Sequence, residues 1–181
     1  SGASAFHYYV FPPGPVIHHG SHETKKKYLP LLASGEIMMC FALTEPDNGV
    51  DTSRMKTFAR REGNRWLVNG RKVWISNAMN ADRMLLMCRT SPRDPAKPFH
   101  GISVFFTQLK GKPGVTITPI DKLARNCIDS TEMVFEDFEV FEDDRPRPVV
   151  NFSARVRGPV SLAVVFDTSG SMRGPNLAAG R

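Results

Sequence analysis

The apolar positions of this chain change period near residue 36. Before it, Ser21 stands where it can cap a short helix running from His22 to Leu29. Lys25, Lys26 and Lys27 fall toward the C-terminal half of that helix, where cations suit the helix dipole, and Pro30 is expected to limit it. Ala33-Ser34-Gly35 then leads into an apolar run of strand length, Ile37 to Thr44, broken by Glu45-Pro46 and followed by an Asp47-Asn48-Gly49 turn. This pattern predicts a strand that delivers a polar loop to a surface. Such a turn can present outward-facing backbone N–H groups to an anion or a polar heterocycle, and it is equally the pattern of an ordinary strand-to-turn exit.

From there the period becomes two. Met55 to Arg60 alternates, Glu62-Gly63-Asn64 turns, and Arg65 to Val68 resumes. Asn69-Gly70 is a hairpin signal because both residues tolerate positive φ, and it predicts a turn into a strand from Arg71 to Ser76. Met84 to Cys88, Ile102 to Phe106, Val115 to Thr118 and Met133 to Val140 supply further strands, divided by the loops Ser91 to His100 and Lys110 to Gly114. With no helical pattern between them, these segments predict a mainly β fold, a sandwich or barrel of about eight strands. A short helical segment precedes it and an irregular tail follows, opening at Arg145-Pro146-Arg147-Pro148 and holding one apolar run, Val160 to Phe166. The divisions expected are residues 1–35, 36–143 and 144–181.

Composition adds limits. The 181 residues suit one domain, or one domain plus pieces, and 41% hydrophobic with 23% charged residues is ordinary for a globular protein. The net charge of +6 is compatible with phosphate-bearing ligands, but the basic residues are dispersed apart from Lys25 to Lys27, so no nucleic-acid stripe is expected. Cys40, Cys88 and Cys127 are widely spaced in apolar or strand-like contexts and read as buried thiols of a reducing, intracellular compartment. No apolar run has membrane-spanning length. The chain begins without Met, which leaves its true N-terminus and any targeting peptide open. His18, His19 and His22 lack Cys or carboxylate partners at ligand spacing other than Glu23 and are read as surface or packing residues.

Taken in order, several motifs resemble the acyl-CoA dehydrogenase family. They are Lys27 to Glu36, Phe41-Ala42-Leu43-Thr44-Glu45-Pro46 with Gly49 and Asp51, Val68 to Asn77, Pro113-Gly114-Val115, Arg125-Asn126 with Asp129-Ser130, and Val134 to Asp137. The resemblance covers about Gly14 to Asp143. It implies the family's β-barrel middle domain, with residues 1–35 the end of an N-terminal helical domain, binding FAD and an acyl-CoA thioester. In such enzymes a glutamate removes the α-proton while hydride passes to the flavin, and electrons leave through an electron-transfer flavoprotein. Family members assemble as dimers or tetramers and occur in mitochondria, peroxisomes or the bacterial cytoplasm. Carried over residue by residue, Phe41, Leu43, Thr44, Gly49, Trp74, Ile75 and Ser76 would hold the flavin. Thr44 would bond its polar edge, Trp74 would pack on its ring and Ser76 would bond near its reactive nitrogen. Read from alternation alone, Trp74 is a core aromatic, Thr44 caps a turn and Ser76 ends a strand.

Three departures shape the functional expectation. Val50 stands where the family commonly has a Ser that contacts acyl-CoA, so Val50 and Asp51 form a substrate subsite lacking one hydroxyl. The family's catalytic glutamate belongs to a C-terminal helical domain, and Glu132, Glu136 and Glu142 match it by no motif, so no catalytic residue is assigned and no turnover is expected from this chain alone. The tail segment Leu162 to Met172 resembles the opening strand and metal loop of a von Willebrand factor A domain, in which Asp167, Ser169 and Ser171 would contribute to a divalent-cation site; a misjoined or truncated reading frame accounts for it as well. Two functions follow as expectations: an FAD-binding portion of an acyl-CoA dehydrogenase, or a non-catalytic interaction protein with a barrel scaffold and a partial metal-dependent adhesion loop.

Overall fold

A computed structural model describes residues 12–124 and 127–141 and the backbone of two later strands, Val150–Asn151 and Ser161–Phe166. Arg125, Asn126, Glu142 and the tail residues Asp167, Ser169 and Ser171 lie outside the described residues. Helices α1 (Gly14–His19) and α2 (His22–Ser34) are followed by strands β1 (Met39–Ala42), β2 (Phe58–Glu62), β3 (Arg65–Ser76), β4 (Arg83–Arg89), β5 (Ile102–Gln108), β6 (Val115–Pro119), β7 (Ser130–Phe141), β8 (Val150–Asn151) and β9 (Ser161–Phe166). The strands form a sheet ordered β6-β7-β3-β2-β4-β5-β9-β8, with β1 parallel to β4, curled into a half-barrel. This is the mainly β architecture that the alternating segments predict. The apolar run at Val160 to Phe166 supplies β9, which lies parallel to β5.

Two apolar clusters explain why some strands alternate and others do not. Inside the curl, Cys40, Ala42, Val68, Ile75, Met84, Leu86, Phe105, Met133, Phe135 and Phe138 pack together. On the outer face Val16, Tyr28, Leu32, Met39, Leu85, Val104 and Phe106 join the helices to β1, β4 and β5. Both faces of β4 and β5 are therefore covered, and these strands read as nearly continuous apolar runs. Tyr28 meets Phe106 edge-on with ring centroids 5.1 Å apart.

Ser21 caps α2 as expected, its hydroxyl accepting from Thr24 N at 3.0 Å. Pro30 does not limit the helix, which runs on to Ser34 and closes at Gly35 in the left-handed region (φ +76). Thr24, Tyr28 and Leu32 are buried at a four-residue spacing, so packing on the sheet carries the helix across the N–H that proline lacks. The three lysines are consequently mid-helix, and no basic residue occupies its last turn.

The Asn69-Gly70 turn is also corrected. The β2–β3 hairpin turns at Gly63, with φ +60, while Asn69 and Gly70 lie inside the twelve-residue strand β3. There the register with β7 shifts between Val68 and Gly70, leaving Glu136 and Asp137 of β7 opposite Asn69 alone. Asn69 clasps this bulge from both ends. Its Nδ2 donates to Asp137 Oδ1 at 2.8 Å, and its Oδ1 accepts from Asp137 N at 2.9 Å.

Cysteine burial needs one correction. Cys40 and Cys88 are buried, and loss of solvation pushes both thiols up to about 12. Cys127 is exposed, because it belongs to the turn between β6 and β7 and not to a strand.

Candidate functional site

The loop after β1 is organised by a carboxylate that alternation does not mark. Glu45 is buried, and its Oε1 accepts from Thr57 N at 2.9 Å and Lys72 Nζ at 3.0 Å. Its Oε2 accepts from Lys56 N at 2.6 Å and more weakly from Asn48 Nδ2 at 3.4 Å. The backbone donors that gather on an anion here are thus Lys56 N and Thr57 N, not those of the Asp47-Asn48-Gly49 turn, and the anion is the loop's own Glu45. Burial alone would push the Glu45 carboxyl up. The Lys72 ammonium and the hydrogen bonds from Thr57 and Lys56 outweigh that and hold it below the usual glutamate range.

Lys72 is 0% exposed and makes a second bond, from Nζ to the Leu43 carbonyl at 3.0 Å. Burial holds its ammonium below the usual lysine value, against the pull of Glu45. Simple alternation would put Lys72, Trp74 and Ser76 on one face of β3. A second register shift, between Lys72 and Ile75, breaks that alternation. Lys72 and Ile75 both point into the barrel, and Trp74 between them takes φ +60 and stands 59% exposed. Trp74 is therefore not the core aromatic that the period of two predicts.

β1 and β3 run alongside each other in opposite senses. Val73 N donates to Thr44 O at 2.9 Å at one end, and Asn77 Nδ2 approaches Met38 Sδ at 3.8 Å at the other. Phe41, Leu43 and Thr44, each half-buried, consequently flank Trp74 and the half-buried Ser76. Phe41 packs against the outer, helix-side cluster. The Ile75 side chain lies in the core at 2% exposure, so a ligand on the open side meets only its backbone, and its carbonyl accepts from Thr131 Oγ1 at 3.0 Å.

The remaining expected residues lie beyond the turn. Gly49 is exposed, Val50 is 100% exposed, and Asp51 caps the 3-10 turn Thr52–Arg54 by accepting from Ser53 N at 3.1 Å and Ser53 Oγ at 2.6 Å. Asn48 ties this turn back to the loop by donating to Arg54 O at 2.8 Å. The structure therefore groups Phe41, Leu43, Thr44, Trp74 and Ser76, and sets Gly49, Val50 and Asp51 apart on the neighbouring turn.

Sequence reasoning missed Glu45 and Lys72 as partners. The one signal available was a lysine within an apolar strand, and nothing local identifies a carboxylate 27 residues away as its counter-ion. Among the described residues no group of three or more His, Cys, Asp or Glu is placed to hold a metal ion, and no helix is long and apolar enough to cross a membrane.

Residues 40–138 match the family model described as acyl-CoA dehydrogenase, middle domain. Glutaryl-CoA dehydrogenase of Desulfococcus multivorans is 35% identical over 125 residues, which are 69% of this chain and 31% of that protein. The human mitochondrial short-chain specific acyl-CoA dehydrogenase is 37% identical over 131 residues, 72% of this chain and 31% of the human protein. A crystal structure of a glutaryl-CoA dehydrogenase from Mycobacterium smegmatis in complex with FADH2 superposes with a TM-score of 0.61 at 34% identity, covering 70% of this chain and 31% of that one. The matched region spans about a third of the length of these relatives. Shared sequence, shared half-barrel and a family model that covers more than half of the residues lead to one conclusion: the chain belongs to the acyl-CoA dehydrogenase family, with residues 40–138 its middle domain.

Proposed function

We propose that this chain provides the flavin-holding face of an acyl-CoA dehydrogenase, with FAD as cofactor and an acyl-CoA thioester as substrate. The observation that carries the reading is Trp74, turned outward by the β3 bulge and flanked by Leu43, Thr44 and Ser76. A flat heterocycle needs an apolar face and a few fixed polar contacts, and this group supplies both. The M. smegmatis relative, solved with FADH2, supports the choice of cofactor.

When bound, the flavin supplies the hydride acceptor for α,β-dehydrogenation. This chain's own residues bind and orient: the Trp74 ring shields the cofactor from water, and the hydroxyls of Thr44 and Ser76 serve as polar contacts. Val50 and Asp51, on the adjoining turn, face the acyl-CoA, with Val50 offering backbone only. Three carboxylates near the face are already engaged, while Asp129, whose carbonyl accepts from Asn77 N, takes Met79 N on Oδ2 and leaves its buried Oδ1 without a partner. Glu45 is paired with Lys72, Asp51 caps its turn, and Glu132 is bound by Arg71. The base of the family is a glutamate that none of the described glutamates matches by motif, and we assign it to a part of the assembly other than these described residues, with electron transfer to an electron-transfer flavoprotein. The mitochondrial and bacterial relatives favour an intracellular setting, and the family's dimeric or tetrameric assembly favours an oligomer.

The test is titration of the purified chain with FAD, followed by tryptophan quenching and flavin absorbance. Saturable binding is expected, weakened about tenfold in Trp74→Ala, in line with the ~0.5–1.5 kcal/mol of an aromatic pair. No binding with FAD in excess, or unchanged affinity in Trp74→Ala, overturns the reading. Turnover of a saturated acyl-CoA with a dye acceptor would overturn the assignment of the base.

A further inference from the structure

Lys72 and Glu45 form a buried ion pair, with side chains 0% and 4% exposed. A buried ion pair is often replaceable by apolar residues of similar volume without loss of stability. What distinguishes this pair is what it fastens. The Glu45 carboxylate gathers the backbone N–H groups of Lys56 and Thr57, and the Lys72 ammonium takes both that carboxylate and the Leu43 carbonyl. One residue on, Val73 N holds the Thr44 carbonyl; one further, Trp74 adopts positive φ and leaves the barrel. The inward turn of Lys72 is thus the last fixed point before the bulge, and its two acceptors belong to the loop on the opposite side of the site.

We propose that the Lys72–Glu45 pair is a positioning device: it fixes the Leu43–Thr44 backbone against the β3 bulge and so sets how Trp74 is presented. Neither side chain touches the ligand face. The ligand arm of the test rests on the flavin reading above, whereas the geometric arm does not.

The experiment uses the whole chain with Trp66→Phe, which leaves Trp74 as the sole tryptophan of the two in the sequence. In this background Glu45→Gln, Lys72→Met and the double variant Glu45→Gln/Lys72→Met are compared. Three quantities are read: far-UV circular dichroism for folding, emission maximum and acrylamide quenching for Trp74, and FAD affinity by absorbance titration. The double variant leaves no unpaired buried charge and is expected to fold, while its Trp74 emission and quenching change and its FAD affinity falls about tenfold. A folded double variant with Trp74 emission, quenching and FAD affinity all unchanged overturns the proposal. If the parent chain binds no FAD, the flavin reading fails by itself, and the Trp74 signals alone decide: a change in the double variant supports positioning, and no change overturns it. If Lys72→Met and the double variant do not fold, the isosteric Glu45→Gln carries the comparison by the same criteria. Unfolding of all three, Glu45→Gln included, overturns the proposal by making the pair a stability element only.

Discussion

Gly70 has φ +147, and a Cβ added there would stand 2.7 Å from the Thr57 Cα and 2.6 Å from its Oγ1. Two costs therefore combine in Gly70→Ala, a backbone conformation that L-residues rarely adopt and an overlap with a neighbouring main chain. We expect a loss of about 2–4 kcal/mol from these together, read as a lower urea midpoint. Gly63→Ala is the control. It has φ +60 with nothing within 4 Å of the added Cβ, and should lose only about 1–2 kcal/mol. The contrast also explains why Asn69-Gly70 was misleading as a sequence signal. Asn-Gly reports that the backbone can take positive φ, and a hairpin turn and a bulge use the same permission. What decides between them is Asp137, 68 residues away, whose backbone and carboxylate Asn69 binds. The same limit applies at Trp74. Alternation puts it in the core, and only the family motif around it marks it as a candidate for the proposed flavin face, because the bulge that turns it outward is set by pairing with β7.

At the scale of elements, alternation located the barrel strands from β2 to β7 because each buries a face in a shared interior. It was less informative about the connections. Arg89, at the end of β4, shows how the connections are held: buried, it donates to the carbonyls of Met55 at 3.1 Å, His100 at 3.0 Å and Pro98 at 2.7 Å, and also to that of Ser53. Arg93 adds a bond to the same Ser53 carbonyl at 3.2 Å. The loop bearing Asp51 and the loop Ser91 to His100 are thus fastened to one guanidinium, and the first of them carries the proposed substrate subsite. Arg89→Met retains bulk but leaves these carbonyls without their donor. We expect it to lower stability by about 3–5 kcal/mol and to raise amide hydrogen exchange first in residues 51–56 and 98–101, ahead of the strands. Exchange that rises uniformly over the sheet would reject the assignment of Arg89 to the loops. Nothing local in the sequence reveals this role, since an arginine ending a strand is ordinarily solvated.

For the whole molecule, the family motifs made the architecture legible, whereas the buried charge that couples β1's loop to β3 became visible only in three dimensions. That charge has a global consequence, because the Glu45–Lys72 pair links pH to folding. Glu45 titrates below its ordinary 4.5 when folded, so the unfolded chain binds more protons as acid is added. The stability it contributes is fully present above about pH 4.5 and is lost as pH falls through the folded value, at up to about 1.4 kcal/mol per pH unit. Lys72 behaves in the opposite window. Its folded value lies below 10.5, so keeping it protonated opposes folding, and that cost is relieved as pH rises from the folded value toward 10.5. Urea unfolding of the chain across acid pH should therefore show a declining limb below about pH 4.5 that is shallower in Glu45→Gln. The exposed carboxylate of Asp47, which is also held low by its bond to Lys56, provides the comparison, because solvent screens it. Asp47→Asn should leave the limb nearly as steep as in the parent chain. If Asp47→Asn flattens the limb and Glu45→Gln does not, acid sensitivity originates on the surface of the loop and the buried pair is not its source.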